Sequence, residues 1–104
     1  MAFLISDVLL YTIDPGDFLD ITSGLIPSGT IWKIESAGIG GTKGAIYLRK
    51  NLTNPNTKIA ILFSTFGDDD YSSPLPFWLP SGFVGTIFND STDSACVSIT
   101  VYTL

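Results

Sequence analysis

A chain of 104 residues has room for one hydrophobic core, so a single domain covering residues 1–104 is expected. Only 14% of the residues are charged, against about 25% in typical soluble domains, so partly apolar surface would face water unless copies of the chain associate. The net charge of −5, with five basic residues, argues against nucleic acid or anionic lipid as a partner, and no segment is long and apolar enough for membrane insertion.

The cysteine content and the N-terminal residues indicate the cellular compartment in which the protein is made. Cys96 is the one cysteine and the chain has no histidine, so the sequence offers neither an internal disulfide nor a Cys/His zinc site. The apolar run at residues 3–13 has no basic region before it and is interrupted by Asp7, which argues against a signal peptide. We interpret this run as a strand of a protein made in the cytoplasm.

Apolar and polar residues alternate in nearly every segment, and no window has the i, i+3, i+4, i+7 spacing of an amphipathic helix. The first segment, residues 3–14, is apolar on both faces, so we expect it to be buried on both sides or to lie against another subunit. One face is predicted to hold Phe3, Ile5, Leu9, Tyr11 and Ile13, and the other Leu4, Val8 and Leu10.

The rest of the chain is divided by turn residues, including the Asp-Pro-Gly-Asp sequence at 14–17. The spacing of turns and apolar segments predicts an antiparallel β-sandwich, jelly-roll-like, with about seven or eight short strands. Further strands are predicted at residues 18–21, 32–37, 46–49, 58–63, 77–79, 83–88 and 95–104.

Alternation also predicts which side chains of these strands face the core. The inward sets are Trp32, Ile34 and Ser36; Ile46 and Leu48; Ile59, Ile61 and Phe63; and Ala95, Val97, Ile99 and Val101. This assignment leaves Ala60 and Leu62 on an outer face. Together with the two-sided first strand, these outward apolar residues predict a homo-oligomer.

A short pattern occurs twice, at residues 25–31 and 78–84: two apolar residues, Pro-Ser-Gly, any residue, then an apolar residue. Each copy would end one strand and start the next at a sharp corner. Gly29 and Gly82 are therefore expected to adopt positive φ, where a side chain is strained.

Enzymatic activity is not expected. Without histidine, Ser-His-Asp and Cys-His mechanisms are excluded, and the residue most often used for acid–base catalysis near neutral pH is missing. Glu35 with one of nine aspartates could form a glycosidase-like pair, but Glu35 alternates as an outward strand residue and most of the aspartates fit turns. We predict no catalytic residue and no cofactor.

Two loops superficially resemble ligand sites. The glycine-rich segment 38–44 lacks the lysine spacing and the following helix of a phosphate-binding loop, so we interpret it as a hairpin loop. Asp68, Asp69 and Asp70 are weak candidates for metal binding, because consecutive acids do not match an EF-hand, and a solvated acidic loop is the simpler interpretation.

Aromatic residues near prolines form the candidate binding site. Tyr71, Phe77 and Trp78 could present rigid faces to sugar rings or to a partner protein, although aromatic residues of a sandwich are also common in its core. This set of residues supports an alternative function, that of a small carbohydrate-binding module.

The chain as a whole resembles small tail-associated, head-decoration or spike β-sandwich proteins of bacteriophages. The resemblance lies in Ile-Pro-Ser-Gly-Thr-Ile-Trp-Lys-Ile at 26–34, Trp-Leu-Pro-Ser-Gly at 78–82 and Ala-Cys-Val-Ser-Ile-Thr-Val-Tyr at 95–102. It implies a virion location, a homotrimer, and a structural role in host attachment or capsid reinforcement. The implied partners are other virion proteins or a host-surface glycan, and no catalytic residue is implied.

Overall fold

The computed structural model describes residues 4–40, 44–50, 58–64 and 75–104, and within these ranges all regular structure is β-strand. No helix in the described residues is long and apolar enough to cross a membrane. The strands are β1 (Leu4–Ile13), β2 (Phe18–Ile21), β3 (Thr30–Ile39), β4 (Gly44–Arg49), β5 (Lys58–Ser64), β6 (Phe77–Leu79), β7 (Gly85–Ser91) and β8 (Ala95–Thr103).

The strands form two antiparallel sheets of four, in the orders β1-β8-β3-β6 and β2-β7-β4-β5. Pairing is nested: β1 pairs with β8, β2 with β7, β3 with β6 and β4 with β5. A long hairpin rolled up on itself gives this order, which is that of a jelly roll. The predicted fold class is confirmed.

The core lies between the sheets, because alternate residues of each strand point inward. The first sheet contributes fully buried Ile34, Val97 and Ile99, and the second contributes Ile46, Leu48 and Ile87. The inward sets predicted for β4 and β8 are confirmed, with Ala95 fully buried and Val101 packed against the same core.

The two Pro-Ser-Gly corners have the predicted backbone. Gly29 has φ +82° and Gly82 has φ +76°. In each turn the N–H of the residue after the glycine donates to the proline carbonyl, at 3.1 Å for Pro27 and 3.2 Å for Pro80, as in a type II turn. The Gly82 N–H also donates to the Ile26 carbonyl at 3.0 Å, so the two corners are neighbours.

Bulges correct two of the predicted faces. Relative to β8, β1 shifts register between Ile5 and Asp7, so Ile5 lies opposite Tyr102 on the outer face and not, as predicted, on the same face as Leu9 and Ile13. Likewise β3 shifts between Ile34 and Ser36, which moves Ser36 to the outer face opposite Ser98. An extra residue in one strand reverses the alternation beyond it, and alternation alone does not reveal where that residue is.

The face prediction for β5 was wrong except at Phe63, which lies opposite Ile46 and packs against the core as predicted. Leu62 is buried in the core and Ala60, opposite Leu48, packs against it, whereas Ile59 is exposed. Residues 59–63 are all apolar, so the sequence does not distinguish the two faces, and pairing with β4, which includes two register shifts, decides between them. Ala60 and Leu62 therefore give no support to an oligomer interface.

A buried polar side chain, Asn89, connects the β1–β2 turn to the β7–β8 turn. Its amide nitrogen donates to the carbonyls of Ile13 at 2.9 Å, Asp14 at 3.2 Å and Asp93 at 2.8 Å. Its side-chain oxygen accepts a hydrogen bond from the Ser91 hydroxyl at 2.5 Å. Asn89 is fully buried, so these bonds satisfy a side chain that would otherwise be costly to bury.

Candidate functional site

The most apolar exposed surface of the first sheet lies along β1. Ile5, Val8 and Leu10 point outward from this strand, with 64%, 63% and 71% of their surface exposed. They face outward because they lie opposite Tyr102, Thr100 and Ser98, which belong to the outward set of β8. We call Ile5, Val8 and Leu10 the β1 strip. Among the described strands β1 is an edge strand, so the strip borders on a sheet edge that no other described strand pairs with.

The outer face of the first sheet is nearly neutral. Its charged residues among those described are Lys33 and Glu35, whose side chains form an ion pair at 3.2 Å. Most described acids lie elsewhere, in or next to the turns or on β2 of the second sheet: Asp14, Asp17, Asp20, Asp90 and Asp93. Although the whole chain carries a charge of −5, this face does not repel a second copy strongly.

An aromatic pair lies beside the β1 strip on the same face, because Tyr102 is opposite Ile5. The rings of Trp78 and Tyr102 are 5.5 Å apart between centroids and tilted by 41°. The Lys33 ammonium lies 5.2 Å from the centre of the Trp78 ring, within cation–π distance. Trp78 is 46% exposed, so one aromatic surface remains open to a ligand or partner.

The predicted set of Tyr71, Phe77 and Trp78 does not form one platform in the described structure. Phe77 and Trp78 are consecutive on β6 and point to opposite faces: Phe77 lies opposite Ile34 and packs against the core. Tyr71 lies outside the described residues. Trp78 instead meets Tyr102 of β8, which the sequence marks only as an outward strand residue.

The other candidate ligand sites gain no supporting geometry. Asp68, Asp69 and Asp70 lie outside the described residues, and the residues that are described contain no group of three or more His, Cys, Asp or Glu suited to a metal. The glycine-rich segment is followed by strand β4 rather than a helix. Because β3 and β4 belong to different sheets, the segment connects the sheets and is not the hairpin loop that we predicted.

Cations cover aromatic rings on the outer face of the second sheet. The Arg49 guanidinium carbon is 4.5 Å from the centre of the Phe88 ring, and the Lys58 ammonium is 4.1 Å from that of Tyr47. Both Tyr47 and Arg49 are buried. These rings are therefore less accessible to a partner than the β1 strip and Trp78.

The described surface thus has one face that combines exposed apolar residues, an aromatic pair and little charge. Such a face is suited to binding or assembly. Comparisons with family models, with curated proteins and with solved structures found no match to this chain.

Proposed function

We propose that the protein is a non-enzymatic structural subunit that acts by homo-oligomeric assembly, with the β1 edge of the first sheet and its β1 strip as the interface. The observation that carries the proposal is the exposure of the β1 strip, Ile5, Val8 and Leu10. Three neighbouring branched apolar side chains, each about two thirds exposed, are the surface that contact with a second copy would remove from water.

Burial of the β1 strip would contribute substantially to the free energy of association but would not be sufficient for a stable oligomer by itself. Full burial of an exposed Val, Leu or Ile stabilises by about 1.5–3 kcal/mol, so the strip contributes about 3–6 kcal/mol per copy when covered. Association costs about 4–15 kcal/mol in lost freedom of motion. Two strips that meet side by side cover each other only in part, so backbone hydrogen bonds between the copies or further contacts are needed for a stable oligomer.

The proposed setting is a virion surface, where the protein would serve as a spike, decoration or attachment subunit. The jelly roll is an architecture used by viral capsid proteins, and also by lectins and cupins, so at the level of fold it is compatible with this role. The resemblance to small bacteriophage β-sandwich proteins favours a trimer that binds a host receptor or other capsid proteins. The exposure of the β1 strip alone does not select a symmetry, because any closed assembly of copies could cover it.

A matched pair of substitutions tests assembly. Val8→Asp places a charge in the strip, and Val84→Asp places the same charge at a residue 53% exposed in the β6–β7 connection, outside the strip. Measured by analytical ultracentrifugation at about a hundred micromolar, where the unsubstituted protein is expected to associate, Val8→Asp should sediment as a monomer, whereas Val84→Asp should match the unsubstituted protein. Equal masses for the two variants would contradict the proposed interface.

Carbohydrate binding is a second candidate function, and the observation that favours it is the Trp78–Tyr102 pair with Lys33 nearby. Sugar rings stack on exposed aromatic faces of this kind. In a glycan-array screen followed by titration calorimetry, Trp78→Ala should abolish binding, while Phe18→Ala, at an exposed aromatic residue of the second sheet, should leave it intact. Absence of binding to every glycan screened would remove this function.

A further inference from the structure

We infer that β1 pairs antiparallel with β1 of a second copy across a two-fold axis, which joins two four-stranded sheets into one of eight strands. The inference rests on the proposed function, self-assembly, and names its contact, which is two-fold and so gives a dimer in place of the trimer that the resemblance favours. It follows from the lengths of the sheet edges, from the position of charge on β1 and from the register that its side chains permit.

Edge length favours self-pairing of β1. The first sheet ends in β1 and β6, and the second in β2 and β5. β1 has ten residues with one register shift against β8, whereas β6 has three, β2 has four and β5 has seven with two register shifts against β4. Short strands and bulges are common protections of an edge against pairing, and residues 7–13 of β1 continue beyond its bulge without another. A second β1 is the one edge in the described residues that matches β1 along its length.

Charge restricts this contact. The single charged residue of β1 is Asp7, whose carboxylate accepts a hydrogen bond from the Val8 N–H at 2.8 Å, and this bond must give way if that N–H pairs with a second copy. A charge on an edge strand opposes pairing if it meets its own copy. Pairing therefore requires a register that separates the two Asp7 side chains. Antiparallel pairing about a two-fold axis that lies C-terminal to Asp7 on β1 separates them.

The alternation of side chains restricts the register. In a two-fold antiparallel pair, outward residues must lie opposite outward residues, because a shift of one residue would bring outward side chains against inward ones. With the axis at Leu9, Val8 lies opposite Leu10 of the second copy, and Leu10 opposite its Val8. The same register places Asp7 opposite Tyr11, whose hydroxyl can donate a hydrogen bond.

Neighbouring registers are poorer. An axis at Val8 sets Leu10 opposite Ser6, and an axis at Leu10 sets Val8 opposite Thr12, so each leaves two apolar side chains against polar ones. An axis at Asp7 would place the two carboxylates opposite each other. The Leu9 axis is the register in which both outward apolar residues of the regular part of β1 have apolar partners.

The size of the contact sets its strength. With the axis at Leu9, residues 5–13 of the two strands overlap, so the paired edge is about 31 Å long and buries on the order of 1,000 Å² or less in total. This is at the lower limit for a specific interface. We therefore expect a dimer that dissociates at micromolar concentration rather than an obligate one.

Cysteine pairing tests the register. Cys96 is exposed, so Cys96→Ser provides a background without a native thiol. In this background, Val8→Cys and Leu10→Cys are prepared separately and oxidised singly or as a mixture. Opposite Cβ atoms lie about 4.5–5.5 Å apart and diagonal ones about 7–8 Å, so the mixture should form far more linked dimer than either variant alone.

The outcomes separate this inference from the proposed function. Efficient linkage of Val8→Cys alone or Leu10→Cys alone would overturn the Leu9 axis. If the unsubstituted protein has a mass above 11.2 kDa but no mixture links, β1 pairing fails while self-assembly stands. A mass of 11.2 kDa at every concentration tested would remove self-assembly and the β1 contact together.

A second measurement does not depend on the variants. Amide hydrogen exchange of the unsubstituted protein should slow in residues 7–11 as its concentration rises through the micromolar range, because pairing protects amides of the free edge. Concentration-dependent protection confined to β5, the longest edge of the second sheet, would overturn the inference.

Discussion

Asn89→Ala should destabilise the fold strongly, although Asn89 belongs to no proposed interface. The substitution removes an amide that donates to carbonyls of Ile13, Asp14 and Asp93, and an oxygen that accepts from Ser91. These bonds join the β1–β2 turn to the β7–β8 turn. The backbone of Asn89 adds to the connection, since its N–H donates to Asp17 and its carbonyl accepts from Gly16, both at 3.0 Å.

The magnitude follows from the bonds lost. The two shorter amide bonds, at 2.9 and 2.8 Å, and the bond from Ser91 each contribute about 0.5–1.5 kcal/mol, and carbonyls left buried without a donor cost more. Alanine also leaves a small cavity. We expect a loss of about 2–4 kcal/mol in the free energy of unfolding, which in a domain of this size lowers Tm by about 10–20 °C.

Equilibrium urea unfolding, followed by the fluorescence of buried Trp32, measures this loss. Both proteins should carry Val8→Asp, so that dissociation of an oligomer does not contribute to the apparent stability. Asn89→Asp is the matched control for shape: it removes the donor while keeping the size, and should be at least as destabilising. A loss below about 1 kcal/mol for Asn89→Ala would refute the role given to these hydrogen bonds.

Other predictions concern turns, core and chemistry. Gly82→Ala should lower the free energy of unfolding by about 1 kcal/mol, because Gly82 has φ +76°. Gly40→Ala is the control and should change it little, because φ of Gly40 is not positive and the added Cβ meets open space. Equal melting temperatures for the two variants would contradict this. Ile34→Ala, at a fully buried residue, should cost about 2–5 kcal/mol, and Ile59→Ala, at an exposed one, under about 1 kcal/mol by urea titration. Hydrolysis of glycoside or ester substrates should stay at background; turnover abolished by one Asp or Glu substitution would contradict the non-enzymatic proposal.

The strands and corners could be predicted from local sequence, because period-two alternation and turn residues are local signals. Residues 18–21 and 77–79 were predicted with the bounds that the structure shows, and Gly29 and Gly82 have the expected positive φ. The nested pairing of strands depends on contacts far apart in sequence, so the sequence indicated the architecture without fixing which strands are neighbours.

The face assignments failed where local alternation is ambiguous. Bulges in β1 and β3 reversed Ile5 and Ser36. The uniformly apolar β5 was assigned the wrong way round apart from Phe63, so that Leu62 proved to be core. The predicted aromatic site failed for a related reason. Neighbours in sequence, such as Phe77 and Trp78, point to opposite faces of a strand, while Trp78 and Tyr102 meet only because β8 and β6 flank β3.

The two-sided apolar pattern of β1 was the most informative sequence signal for function. It predicted a strand buried on both faces or lying against another subunit, and within the described chain Val8 and Leu10 remain uncovered. An exposed apolar edge of this length is a pairing and aggregation risk for a protein that stays monomeric. A second subunit is therefore the partner we propose for it.

The molar mass of the unsubstituted protein in solution tests self-assembly most directly. Light scattering coupled to size-exclusion chromatography, at loading concentrations from low micromolar to about a hundred micromolar, should give a mass that rises with concentration toward a multiple of 11.2 kDa. A mass that stays at 11.2 kDa throughout this range would contradict self-assembly and leave carbohydrate binding through Trp78 as the better-supported function.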